Sequence, residues 1–99
     1  MSDATYTITA ELWCHDGAAA WHFITVPDDV ADEIRARFAH GPFGMVAVRA
    51  TIGGSTWATK LFADTKRDAY LLPVKAAVRR REALAPGDTV TARLDLDAA

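Results

Sequence analysis

Residues 69–96 constrain the fold most, because they read as strand, helix, turn and strand in that order. A short apolar run leads to Pro73, where a helix can open. Gly87 indicates a turn, and Thr89–Leu96 then alternates apolar and polar residues, as a half-buried strand does. Residues 21–52 repeat this order of features. We therefore expect two copies of one unit packed against each other.

The first unit begins with Trp21–Val26, whose two faces are both largely apolar, as in a strand that is covered on both sides. Pro27 can open a helix because a first-turn residue needs no N–H, and Gly41-Pro42 ends that helix. Its apolar stripe comprises Val30, Ala31, Ile34 and Phe38. The second helix, opening at Pro73, is expected to bury Val74, Ala77 and Val78.

Gly53-Gly54 separates two alternating runs and predicts a two-residue β-hairpin, since glycine adopts positive φ without cost. In the register that this turn sets, Ala50 lies opposite Trp57. The inward face is then apolar almost throughout, and Arg49 and Lys60 lie on the outer face. A slip of one residue would bury both cations, so the register is well specified.

One more alternating strand, Thr5–Trp13, precedes both units, and Asp16-Gly17 marks a turn after it. A chain of 99 residues has the size of one domain with one core. We therefore predict a single mainly β domain over residues 1–99. Its expected architecture is a double-split β-barrel of about six strands, with two short α-helices and an internal pseudo-twofold repeat.

The net charge of −2 argues against a dedicated duplex-DNA binder, because neutralising phosphates requires a positive surface. A nucleic-acid role would need a local basic patch. Cys14 is the only cysteine, no basic and then apolar leader is evident, and no apolar run approaches the ~20 residues of a transmembrane helix. We expect a cytoplasmic protein with no membrane contact, for which a monomer is plausible.

The second unit resembles the AbrB-like swapped-hairpin family of bacterial transcription regulators and antitoxins. The matching residues are Leu72, Pro73, Val78, Arg79, Leu84, Gly87, Asp88 and Val90. In that family two chains each supply one such unit to a double-split barrel, and arginines of this region touch DNA. Since both units lie in one chain here, the resemblance implies a barrel that a monomer can form.

Nearly the whole chain is similar to a family of short bacterial and archaeal proteins of unknown function, sometimes fused to a bacteriocin-protection domain. The matching segments include Trp21-His22-Phe23, Val48–Gly54 and Tyr70–Arg79. This resemblance implies a double-split barrel capped by helices, and it implies no activity. The chain departs from the family at Phe43, where tryptophan is expected, and at Lys60, where serine is common. If Lys60 lines a site, the chemistry of that site is altered here.

Several cations and one tryptophan form a candidate ligand site. The key residue is Lys75, expected in the first turn of the second helix, where backbone N–H groups favour an anion. The candidate residues are Trp21, Arg49, Lys60, Lys75 and Arg79. In the alternative interpretation, Trp21 and Trp57 fill the barrel, and the helix cations are merely solvated.

A basic run on the second helix suggests a DNA-binding face. Its residues are Lys75, Arg79, Arg80 and Arg81. Arg79 matches a position of the AbrB-like pattern, whereas Arg80 and Arg81 do not correspond to a defined position of that pattern. Glu82 and the acidic first helix weaken any basic stripe, so an ordinary exposed helix face is the competing interpretation.

Metal ligands and catalytic motifs are poorly represented. The potential ligands Cys14, His15, Asp16 and His22 match no closed four-ligand spacing, and no nucleophile elbow, phosphate loop or carboxylate pair is present. We therefore expect no metal, no cofactor and no catalytic residue. The expected function is a non-catalytic binding domain for a small anionic ligand or a protein partner near Lys75 and Arg79. A DNA-binding regulator is the alternative, and an enzyme has the least support.

Overall fold

The computed structural model describes residues 4–15, 21–38, 41 and 44–97. Within them the chain forms β1 (Ala4–Glu11), β2 (Trp13–Cys14), β3 (His22–Thr25), α1 (Asp28–Arg37), β4 (Val46–Ile52), β5 (Ser55–Asp64), β6 (Ala69–Pro73), α2 (Ala76–Arg81) and β7 (Thr89–Leu96). The predicted turn at Asp16-Gly17 and the residues Pro42 and Phe43 lie outside the described residues.

The strands form one curled, half-barrel sheet in the order β1-β7-β4-β5-β6-β3-β2, and all neighbours are antiparallel. The first predicted strand is divided at Leu12, so the described residues contain seven strands instead of about six. Leu12 leaves the ladder because its N–H donates to the carbonyl of Asp88 at 2.9 Å, and its own carbonyl accepts from the N–H of Gly87 at 2.8 Å.

The β4–β5 hairpin confirms the predicted register. Ala50 pairs with Trp57, and the turn glycine Gly53 has a φ of 57°. Trp57 is 8 % exposed, which confirms its predicted place in the core, whereas Arg49 and Lys60 are exposed on the other face. We call the face that meets the core the inner face of the sheet, and the opposite face the outer face.

One hydrophobic core lies on the inner face, and α1 packs into it through Ala31 and Ile34. Phe38, just after α1, is buried too, and Val30 packs against the core, so the predicted apolar stripe of this helix is confirmed. The β7 alternation is also confirmed: its core residues are Val90, Ala92, Leu94 and Leu96.

The start of α2 differs from the prediction. Pro73 is the last residue of β6, opposite Phe23, and the N–H of Val74 donates to the carbonyl of His22 at 2.9 Å. These backbone contacts keep the chain extended, so α2 begins only at Ala76. Ala77 is exposed, which contradicts its predicted burial, while Val74 and Val78 are buried as expected.

The end of α2 is anchored to the β4–β5 hairpin. The buried hydroxyl of Ser55 donates to the Glu82 carboxylate at 2.7 Å, and the Arg81 guanidinium lies 3.4 Å from the same hydroxyl. A Cβ on Gly53 would meet the flexible end of the Glu82 side chain, which would have to move away from Ser55, and the φ of 57° itself favours glycine at this turn. The tight hairpin therefore positions α2 as well as the two strands.

Neither α1 nor α2, the helices of the described residues, has the length and apolar character needed to cross a membrane. Closure into a double-split barrel and the internal twofold stay predictions at this point.

Candidate functional site

The hairpin register places two of the predicted site residues next to each other on the outer face. Arg49 lies opposite Ala58, and Ala47 lies opposite Lys60. The two cations are therefore diagonal neighbours across β4 and β5, a spacing of about 7–8 Å between Cα atoms. The other diagonal holds two alanines, whose short side chains leave open space between the charges.

A surface depression of about 450 Å³ lies over these four residues. We call it the cationic depression. It also borders Asp95, which lies opposite Arg49 on β7, and Asp97 just beyond that strand. Asp95 already accepts hydrogen bonds from the Thr5 hydroxyl at 2.7 Å and from the Arg93 guanidinium at 3.2 Å. Its carboxylate is thus held at the edge of the depression.

The predicted site residue Trp21 lies on a different part of the outer face. It is 47 % exposed, which contradicts the alternative in which it fills the barrel. Its ring stacks on Phe23, with centroids 6.1 Å apart and planes inclined by 11°, and it lies 5.9 Å from the ring of Phe62. Trp13 packs on Phe23 at 5.2 Å. We call these four residues the outer aromatic cluster.

A second depression, of about 470 Å³, opens beside this cluster, and we call it the aromatic depression. Trp13, Phe23 and Phe62 line it together with Leu71, and its rim includes Lys66 and Arg67. The Arg67 guanidinium lies 5.4 Å from the ring centroid of Trp13, in the geometry of a cation–π contact. The depression therefore combines apolar ring surfaces with a cationic rim.

Lys75 and Arg79 lie at α2. Lys75 is the exposed residue that precedes the helix, and α2 is only six residues long. Arg79 is partly buried: its Nε donates to the Val74 carbonyl at 3.2 Å, and its Nη1 lies 3.4 Å from Nε2 of His22. Neither residue lines the cationic depression or the aromatic depression. The predicted five-residue site is thus divided among three places.

The remaining residues of the basic run also differ from one another. Arg80 is exposed, whereas Arg81 contacts Ser55 beside the Glu82 carboxylate. Of the four cations predicted to face DNA, Arg79 and Arg81 have structural partners. The run does not form one uniform cationic stripe on α2.

The match to known families covers most of this architecture. A family model described as "Domain of unknown function (DUF1905)" matches residues 9–94, a span that includes both helices and strands β2 to β6. The chain belongs to the DUF1905 family. No curated protein matches the chain. The match agrees with the expected small domain of unknown function. The AbrB-like similarity and the bacterial or archaeal origin stay predictions.

Most of the outer aromatic cluster of this DUF1905 domain was missed by the sequence reasoning. By two-residue periodicity, Trp13 and Phe62 fall on the polar faces of their strands. An aromatic residue on an otherwise polar face was the one sign in the sequence that this face is covered. The prediction that Trp21–Val26 is covered on both faces agrees with Phe23 and Ile24, which are both buried. The sequence of this strand alone could not show which residues of other strands cover its outer side.

Electrostatic effects within the DUF1905 domain also involve its two tyrosines. Burial raises the pKa of Tyr70, while the Arg35 guanidinium, 5.2 Å from its ring centroid, opposes that rise. The pKa of Tyr6 is raised by partial desolvation and by its hydrogen bond to Glu33, which is 3.1 Å long. Both phenols are therefore neutral near neutral pH.

Proposed function

We propose that this DUF1905 domain is a non-catalytic binding module, and that its ligand is a small anion held between Arg49 and Lys60. The observation that carries the proposal is the diagonal placement of these two cations across the hairpin, with Ala47 and Ala58 between them. A carboxylate or phosphate group in the cationic depression can accept hydrogen bonds from both side chains.

The neighbouring acidic residues set the limits of this proposal. Asp95 has Thr5 and Arg93 as partners, so its charge is partly balanced by residues outside the depression. Asp97 is exposed at the edge of the depression and reduces its positive potential. We therefore expect weak binding by the domain as it stands, and tighter binding after Asp97→Asn.

Thermal shift with inorganic phosphate, citrate and a panel of anionic metabolites tests the proposal. A ligand that binds only the folded state raises the melting temperature in a concentration-dependent way. We expect that rise for at least one anion, its loss in Arg49→Gln and in Lys60→Ser, and a larger rise in Asp97→Asn. Lys66→Gln removes one charge elsewhere on the outer face and is the matched control for phosphate and citrate, which carry no aromatic ring.

Two results would remove the proposal. One is the absence of any anion-dependent shift in the unmodified domain across the panel. The other is an equal shift in Lys60→Ser and in the unmodified domain, because the anion would then bind elsewhere. A protein partner that presents an acidic segment would use the same two cations, and it would show the same dependence on Arg49 and Lys60.

The exposed end of α2 is a second proposed location for the anion. Lys75 is exposed there, and Arg79 is oriented by its contacts with Val74 and His22. Lys75→Ala tests this location, because the lysine side chain is exposed and makes no hydrogen bond or ion pair with the residues that the structure describes. An anion-dependent shift that disappears in Lys75→Ala and persists in Lys60→Ser would favour α2 over the cationic depression.

DNA binding through α2 is the alternative function, supported by the exposure of Lys75 and Arg80. Binding of this kind falls steeply with salt, because each phosphate contact releases counterions. Arg80→Ala is the clean test, since Arg79 and Arg81 also hold the fold. Retention on heparin that weakens with salt and is lost in Arg80→Ala would favour this alternative over an anion site.

We further infer that the sheet is a double-split barrel with an approximate twofold. The units β3–α1–β4 and β6–α2–β7 correspond in order, and their equivalent strands pair with each other: β3 with β6, and β4 with β7. β5 lies beside β4 and β6, just as the chain from β1 through Leu12 to β2 lies beside β7 and β3. A crystal structure in which the two units fail to superpose would remove this inference.

A cytoplasmic location is also proposed, and cell fractionation tests it.

A further inference from the structure

The aromatic depression is built from residues that do not belong to the main core. Phe23 and Leu71 are 7 % and 8 % exposed, yet they lie on the outer face, apart from the core cluster on the inner face. Leu71 pairs with Phe62 across β5 and β6, and Trp13 pairs with Phe23 across β2 and β3. Four strands thus contribute one side chain each to an apolar surface outside the core.

The rings around the depression are fixed at angles to one another. The planes of Trp13 and Phe23 are inclined by 42°, and those of Phe23 and Phe62 by 62°. The Trp13 ring is held by a hydrogen bond from its Nε1 to the Thr25 hydroxyl, 3.0 Å long. A flat ring that enters this space can stack on one ring and meet the edge of another, the two arrangements that aromatic pairs prefer.

The rim of the depression has a positive balance. Lys66 and Arg67 carry one positive charge each, and Asp64 carries one negative charge. The Asp64 carboxylate accepts hydrogen bonds from the backbone N–H groups of Lys66 and Arg67, and it pairs with the Arg67 guanidinium at 3.5 Å. It is 18 % exposed, whereas Arg67 is 66 % exposed. The Asp64 carboxylate is therefore engaged in hydrogen bonds within the turn, whereas the side chains of Lys66 and Arg67 are exposed to solvent.

We propose that the aromatic depression binds a small planar aromatic carboxylate. Its ring would occupy the space beside Trp13, Phe23 and Phe62, and its carboxylate would meet Lys66 and Arg67. The volume of about 470 Å³ lies within the range of small-molecule sites, about 300–1,000 Å³. The site shares no residue with the cationic depression, so it goes beyond the function proposed above.

The three tryptophans make the proposal directly measurable. The probes are indole-3-acetate, neutral indole and acetate, each titrated into the nitrogen-15-labelled domain while the indole N–H signals are followed by NMR. We expect indole-3-acetate to shift the signals of Trp13 and Trp21 and to leave that of the core residue Trp57 unchanged. Indole should bind more weakly at the same place, and acetate alone should shift none of the three.

Matched variants separate the apolar and the charged contributions. Replacing Lys66 and Arg67 together by glutamine should lower the affinity for indole-3-acetate at least about tenfold, because the charge-assisted contacts of its carboxylate are lost. The affinity for indole should stay unchanged, because indole carries no charge. Phe62→Ala should lower the affinity for both. Replacing Lys75 and Arg80 together by glutamine removes the same two charges from exposed residues that line neither depression, and it should alter neither affinity. The glutamine variants change exposed side chains, so a folded spectrum is expected for each.

Three outcomes would overturn the proposal. Equal affinity for indole and indole-3-acetate would mean that the cationic rim takes no part. A shift of Trp57 together with the other two signals would mean partial unfolding and not a site. A concentration-dependent dimer whose formation alone shifts Trp13 and Trp21 would make the outer aromatic cluster an interface between two copies of the chain. None of these outcomes depends on whether an anion binds between Arg49 and Lys60.

Discussion

The inner and outer faces of the sheet are made from alternate residues of the same strands, yet they are covered very differently. On β5, Leu61 is fully buried in the core, while the next residue, Phe62, lies on the outer face in contact with other aromatic rings. The inner face is one continuous apolar surface. The outer face changes from the polar Arg49–Lys60 region to an aromatic one within a few residues of the same strands.

The two faces of the sheet meet different physical requirements. The inner face must exclude water, so most positions there are apolar, the buried hydroxyl of Ser55 is hydrogen-bonded to Glu82, and a single cavity is costly. The outer face has no such requirement, and apolar residues are concentrated where strands β2, β3, β6 and β5 lie side by side. If the inner face provides the stability and the outer face provides the binding, substitutions on the two faces should have different effects.

The largest expected effect on stability is the difference between substitutions at two adjacent residues of β5, Leu61 and Phe62. Leu61→Ala should lower the free energy of unfolding by about 3 kcal/mol, because it leaves a cavity in the inner core. Phe62→Ala removes a larger side chain but should cost only about 1 kcal/mol, since its ring is partly exposed. Urea unfolding followed by circular dichroism measures both. Equal losses in the two variants would break the comparison.

The next effect concerns the β4–β5 turn, which contacts Glu82 at the end of α2. Gly53→Ala should cost about 2 kcal/mol, because alanine is strained at a φ of 57° and its Cβ displaces Glu82 from Ser55. Gly54 is the matched control, since a Cβ there meets nothing within 4 Å. Thermal unfolding of the two variants checks the prediction, and similar melting temperatures would contradict it.

A smaller effect, of opposite sign, is expected just after α2. Ala83 has a φ of 55°, and the N–H of Leu84 donates to the Arg79 carbonyl at 2.9 Å across it, the arrangement in which glycine usually ends a helix. Ala83→Gly should therefore raise the free energy of unfolding by about 0.5 kcal/mol, after the entropy of the unfolded chain is counted. Urea unfolding tests it, and a loss of stability would show that the backbone strain is absent.

The smallest effect concerns Tyr70, a core residue with a polar hydroxyl. Its pKa is raised in the folded protein, chiefly by burial, so the neutral phenol favours folding. This contribution is complete below pH 10 and is lost as the pH rises through the higher pKa of the folded state. The chain has only two tyrosines, so absorbance at high pH of a Tyr6→Phe variant reports Tyr70 alone. Ionisation of Tyr70 at or below the ordinary value would contradict its burial.

Much of the inner face could be predicted from the sequence alone. Two-residue alternation and Gly53-Gly54 specify the hairpin register, because any slip would bury Arg49 and Lys60. The apolar stripe of α1 and the whole of β7 follow from periodicity in the same way. These features are local, because they depend only on residues that are close together in the sequence.

Only the tertiary structure decided the rest. Pro73 reads locally as a helix start, but pairing with Phe23 on a distant strand keeps it extended and shortens α2. The aromatic depression likewise takes its residues from strands far apart in the chain, so no local pattern describes it. Alternation tells which side of a strand each residue takes, whereas the neighbours found there depend on how the whole sheet is assembled, and this is why the aromatic depression emerged only from the fold.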